Sequence, residues 1–195
     1  MNTLKVEKRD MQTKAKKLRR EGFVTGNVFG KKIEGSIPLQ ISRKDAEELL
    51  KTCRKGSQIL LNLDGKDLDV LIKEIDYDSM KHQVVEMDFQ ELVKGEMVHS
   101  VAEVILLNHE KVLEGIVELD LAEISYRATP DALVEKVEID LSTMRVGDEI
   151  LVKDLPIASD KDIVLQTPLD ESVVRIVEPH NTAVPTDEDE EAEEE

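Results

Sequence analysis

Five cations fall within seven consecutive residues of this chain: Lys14, Lys16, Lys17, Arg19 and Arg20. Side chains of this kind at this density have one chemistry to offer: they neutralise a polyanion, such as the phosphates of a nucleic acid. The enclosing stretch, Lys5 to Lys32, carries ten Lys and Arg, Arg9 among them, against three acids, a net of +7. The whole chain is at −17, so everything outside that stretch carries −24. An acidic protein that gathers its positive charge into one segment has a polyanion to meet there; the plainer alternative is a solvated basic helix face.

Other reactive residue types are present but not in reactive patterns. Asp67/Asp69 and Asp76/Asp78 each lie two apart, on one face of a strand. With no concave site or partner, such pairs read as solvated faces rather than acid/base couples. His82, His99, His109 and His180 are scattered without metal-ligand spacing, and His99 and His109 read as strand-edge or turn residues. Cys53 is the single cysteine, so neither a disulfide framework nor a zinc set of cysteines is expected. No phosphate-cradling glycine loop, nucleophile elbow or histidine-rich metal motif is found. No enzyme, metal or cofactor is expected. The three Phe and two Tyr are too few to stack unpaired bases, so any nucleic acid would be met mainly through phosphate and shape.

The elements that must carry these residues follow from patterning. Thr3 to Lys8 alternates as a short strand, and Lys14 to Arg20 forms a helical turn or two ended by Gly22. Val24 to Gly30 and Ser36 to Ser42 are further strands, the second with Pro38 and so expected at a sheet edge. Ser42, with Asp45 three residues on, has capping-box spacing for a helix whose apolar stripe is Ala46, Leu49, Leu50 and Cys53. Lys55-Gly56 is expected to end that helix. Ser57 to Leu63 and Asp67 to Ile75 flank Asp64-Gly65, a strong hairpin signal, and Val84 to Phe89 closes the module. About six strands and one or two helices in 92 residues suit a small closed barrel.

Composition changes near Lys94-Gly95-Glu96. Residues 1–92 hold 18 basic and 16 acidic groups, whereas 93–184 hold 8 and 19. Strands are expected at Val98 to Leu107, Val112 to Val117, Leu121 to Tyr126, Leu133 to Leu141, Glu149 to Val152, Ile163 to Leu165 and Ser172 to Val177. The fold class is therefore all-β with a few short helices: a six-stranded barrel over 1–92, then a second β domain over 93–184. Residues 185–195 hold eight acids in eleven positions and read as a disordered tail. The start of the chain lacks the apolar core of a secretory signal and no apolar run is long enough to span a bilayer, so a cytoplasmic protein is expected.

Several motifs together resemble a known family. They are Lys17-Leu18-Arg19-Arg20-Glu21-Gly22 and Thr25-Gly26-Asn27-Val28-Phe29-Gly30 near the start, Leu63-Asp64-Gly65-Lys66 and Glu86-Met87-Asp88-Phe89 further on. Val137 to Ser142, Val146-Gly147-Asp148-Glu149 and Val152 to Pro156 follow in the second half. With the acidic tail, they resemble the long form of the bacterial large-subunit ribosomal protein twenty-five family, which binds 5S rRNA and includes the general stress protein CTC. The resemblance covers nearly the whole chain.

The resemblance implies a barrel that binds 5S rRNA, a β-rich second domain, no catalytic activity, and neighbouring ribosomal proteins as further partners. Carried over by position, it implies RNA contacts from Arg9, Arg19 or Arg20, Phe29, Lys73 and Asp88, to which the basic run adds Lys14, Lys16 and Lys17. Three positions depart from the family pattern: Phe29 stands for a Tyr, Thr25 for a Pro, and Glu86 for a His on the same strand face as Asp88. Glu86 replaces a possible donor with an anion, which phosphate repels. Two functions remain open at this point: a noncatalytic 5S rRNA-binding component of the large ribosomal subunit, or a stress-related paralogue with weakened RNA binding that acts through protein partners. The alternative for Glu86 is a harmless pairing with a nearby lysine such as Lys73.

Overall fold

A computed structural model of the chain describes residues 2–112 and 115–179. The acidic segment 185–195, expected to be disordered, lies outside the described residues. The first half contains β1 (Thr3–Lys8), α1 (Ala15–Arg20), β2 (Phe23–Phe29), β3 (Ser36–Ser42), α2 (Arg43–Leu49), β4 (Gln58–Leu63), β5 (Lys66–Asp78) and β6 (Gln83–Glu91). The six strands close into a barrel in the order β1-β3-β2-β6-β5-β4. β1 runs parallel to β4 and β2 parallel to β6, while the remaining pairs are antiparallel. Alternation along the strands sends Val24, Val28, Leu39, Ile41, Ile59, Leu61, Val70, Ile72, Met87 and Phe89 inward, all fully buried. α2 plugs one side of this core with Ala46, Leu49 and the following Cys53. The Asp64-Gly65 turn forms as expected, both residues at positive φ.

Three local expectations change. Pro38 does not mark an edge, because β3 lies between β1 and β2. Its carbonyl accepts from Arg9 N at 2.9 Å, just past the last β1–β3 rung at Lys8–Leu39. A residue's N–H and C=O point to the same side of a strand, so the missing donor falls where β1 has ended and costs no rung. Ser42 precedes α2 but its side chain makes no capping bond. It is instead the last rung of β3, opposite Phe23, and the N–H of Arg43 is satisfied by Gly22 O at 3.0 Å. α2 itself stops at Leu49; single turn bonds, Leu50 N to Ala46 O and Cys53 N to Leu49 O, carry the chain on to Cys53.

The second half contains β7 (Val98–Leu107), β8 (Ile116–Leu119), β9 (Glu123–Ala128), β10 (Lys136–Asp140), β11 (Glu149–Leu151), β12 (Ile163–Leu165) and β13 (Ser172–Val177). They form a four-stranded sheet, β10-β7-β9-β12, and a three-stranded sheet, β11-β13-β8. The two sheets share one core around the fully buried Tyr126. Its hydroxyl donates to Val134 O and accepts from Val134 N, both at 2.8 Å, and burial pushes the phenol's pKa up. That exchange explains why β10 starts at Lys136 rather than Leu133: the backbone of Val134 is already committed to a side chain. The two halves meet where Leu71 and Leu92 of the barrel pack on Val98 and Leu133.

Candidate nucleic-acid interface

α1 exists because one apolar side chain anchors a short cationic turn. Leu18 is buried, whereas Lys14, Lys16, Lys17 and Arg20 are exposed and Arg19 is half-buried. Gly22, at φ +91°, ends the helix in a conformation that other residues resist. Arg9 fastens the loop before it: a guanidinium N–H donates to Thr13 O at 3.0 Å. Arg9 is therefore half-buried and partly engaged with the protein itself.

Beside α1 the fold assembles a cleft of about 520 Å³, lined by Lys16, Arg19, Arg20, Arg43 and Lys81, with Asp78 as the acidic residue. Arg43 opens α2 and donates to Arg19 O at 2.5 Å, placing a cation at the C-terminal carbonyls of α1. Lys81, in the turn between β5 and β6, lies 3.5 Å from Asp78. Backbone donation from Lys81 is the main cause that holds the Asp78 carboxyl below the usual carboxylate range, so it stays an anion at neutral pH. Around α1, the Nε atoms of Arg9, Arg19 and Arg43 are buried without a hydrogen-bond partner among the described residues. Lys17 turns partly to Glu21, 3.7 Å away, and Lys14 is exposed at the start of the helix.

Glu86 and Asp88 sit on the outer face of β6, opposite Thr25 and Asn27 of β2. Asp88 Oδ1 accepts from Asn27 N at 3.1 Å and Asn27 Nδ2 at 3.2 Å. Glu86 lies 3.8 Å from a guanidinium N of Arg19. Its cationic partner is thus Arg19, not Lys73. On the other side of β6 the outer face turns acidic, since Glu74 faces Asp88 and Asp76 faces Glu86 across the strands. Like charges directly opposite repel, so this side of β6 is a row of acids unfavourable to a polyanion. Phe29 is half-buried at the far end of β2, four residues from Thr25 and hence about 13 Å along the strand.

Lys73 is not brought to this face. An irregularity in β5 between Ile72 and Glu74 directs it to the second half of the chain, where its ammonium donates to His99 O at 2.9 Å. Partial burial, aided by Lys55, holds its pKa below the usual lysine value. Arg43 and Lys81 are the residues that patterning along the sequence misses. Neither belongs to the basic run, and only barrel closure carries them to α1.

An all-β protein with five barrel cations gathered in one cleft beside a short helix is the class that fold and site define. Residues 4–89 match the model of the Ribosomal L25p family, and residues 97–180 match that of the Ribosomal protein TL5, C-terminal domain. The chain is 31% identical over 191 residues to a large ribosomal subunit protein bL25 of Listeria monocytogenes, covering 94% of this chain and 89% of that protein. The bL25 of Thermoanaerobacter sp. is 31% identical over 190 residues, covering 93% and 92%, and that of Caldanaerobacter subterraneus is 32% identical over 185 residues, covering 91% and 89%. The chain belongs to the bL25 family of large ribosomal subunit proteins, in its long, two-domain form, a structural and non-enzymatic class. Among the described residues no helix is long and apolar enough to cross a membrane, and no group of His, Cys, Asp and Glu could hold a metal ion.

Proposed function

We propose that the chain is a noncatalytic component of the large ribosomal subunit, working in the cytoplasm, that binds 5S rRNA through α1 and the adjoining wall of the barrel. The observation that carries this reading is the five-cation cleft beside α1 in a chain of net charge −17. Duplex RNA presents a shallow minor groove, read by shape and by contacts to phosphate and 2′-hydroxyl groups. Lys16, Arg20 and Lys81 are placed to meet phosphates, and Lys14 and Lys17 to extend the contact along α1. Arg9 and Arg43 position α1 as well as adding charge. Asp88, with Oδ2 beyond its Asn27 bonds, is an acceptor for a 2′-hydroxyl or a base amino group. Phe29 offers an apolar edge at the end of β2. The acidic second half is repelled by RNA and points to basic ribosomal proteins as its neighbours.

One observation favours a second reading, that of a stress-related paralogue with weakened RNA binding. Glu86 takes part of Arg19's charge at 3.8 Å, with both side chains about two-fifths exposed. An exposed pair of this kind is worth only about 0.2–1 kcal/mol, so phosphate displaces it at modest cost. Competition titration of the full chain with 5S rRNA and an unrelated RNA duplex of similar length tests the choice. The first reading expects 5S rRNA to be preferred by about tenfold or more, near 1.4 kcal/mol. Equal binding of the two would support the weakened form.

A further inference from the structure

We propose that the second half of the chain is an electrostatic mask: its acids cancel the barrel cations at the junction, Arg54, Lys55 and Lys31, and so keep RNA off that part of the barrel wall. The proposal rests on the RNA-binding reading above.

Among the described residues, the ion pairs between the halves have one polarity. Arg54 lies 3.0 Å from Glu103, Lys55 lies 3.0 Å from Glu123, and Lys31 lies 2.6 Å from Glu96. In all three the cation belongs to the barrel and the anion to the second half. Lys73 follows the same pattern, spending its ammonium on the carbonyl of His99. Two of the pairs share one groove of about 220 Å³ at the junction, lined by Arg54, Lys55, Glu103 and Glu123.

Glu103 and Glu123 are also direct cross-strand neighbours on β7 and β9. Two carboxylates in that relation repel one another, and the cations that relieve them come from the barrel. The groove therefore fits two cations to two anions that neither half would hold comfortably alone. Stability accounts for little of it, because the cations are exposed: the side chains of Arg54, Lys31 and Lys55 are 72%, 74% and 42% accessible. Exposed pairs add little to folding. Their charge still acts over a Debye length of about 8 Å at physiological salt. Arg54 and Lys55 are open enough for an RNA phosphate to reach. Unpaired, each would bind phosphate without regard to sequence, outside the α1 cleft, and draw RNA of any kind.

The test uses the full chain with Glu103→Gln and Glu123→Gln together, and an unrelated RNA duplex titrated at several salt concentrations. The mask predicts that this variant binds the duplex several-fold more tightly at low salt. Its salt slope should steepen by about one to two units, roughly one per additional phosphate neutralised. A second variant adds Arg54→Gln and Lys55→Gln, and should return the slope to that of wild type. Unchanged duplex affinity and slope in the first variant would overturn the mask. So would a raised slope persisting in the second, because the extra phosphates would then be met by other residues. A wild type that does not prefer 5S rRNA over the duplex would overturn the RNA reading above, while the mask would still be judged by the duplex slopes.

Discussion

Glu86 shows at the scale of one residue how a departure from a family pattern acts through its neighbour. The anion does not stand alone on the barrel wall: it draws on Arg19, 3.8 Å away, and faces Asp76 on the adjoining strand. Glu86→Gln frees the guanidinium and removes one charge from an acidic ladder. Its expected effect is a gain of about 1.4- to fivefold in 5S rRNA affinity, the range of an exposed pair worth about 0.2–1 kcal/mol. Isothermal titration checks it, and an unchanged affinity would show that Arg19 is fully available to RNA in the wild type. The sequence made the strand face of Glu86 legible, because residues two apart in β6 share a side. It did not make the partner legible. Arg19 is 67 positions away in the chain and meets Glu86 only because β2 and β6 pair in parallel. Lys73 shows the complementary limit: carrying a position over from a family cannot see an irregularity that re-aims one side chain of β5.

At the scale of elements, α1 works only if the β2–β6 wall beneath it keeps its spacing. At Gly26 the backbone of β6 occupies the space that a side chain on β2 would need. A Cβ there would lie 2.1 Å from Met87 O, a backbone atom with no room to yield. Gly26→Ala is expected to cost about 1–3 kcal/mol of stability by overpacking, read as a lowered midpoint in urea. A midpoint within error of wild type would mean that the wall relaxes, and that α1 does not rely on its spacing. Most strands could be read from alternation, including β7 and β13 with their full bounds. The end of α1 was legible too, but the cap and end of α2 were not. Ser42 looks like a cap but serves as a strand rung, and α2 ends at Leu49, after which turn bonds carry the chain on to Cys53. β10 begins late because a buried tyrosine claims the backbone of Val134, a long-range event that no local pattern announces.

For the whole molecule, charge is the organising quantity. The composition break near Lys94 was visible in the sequence; the one-way polarity of the ion pairs across the junction was not, since it depends on which walls face each other. Gly56 reflects the same fact: a Cβ there would lie 2.3 Å from Val101 O of the second half, so the barrel meets that half along backbone as well as through ion pairs. The barrel gathers five cations in one cleft beside α1, Lys16, Arg19, Arg20, Arg43 and Lys81, and that cleft is the proposed RNA footprint. The most direct test compares wild type with Arg19→Ala/Arg20→Ala in 5S rRNA titrations between about 50 and 200 mM salt. The account predicts weaker binding at every salt concentration and a log–log slope shallower by up to about two units, near one for each phosphate no longer neutralised. A variant that binds with the wild-type affinity and slope would contradict it and remove α1 from the interface.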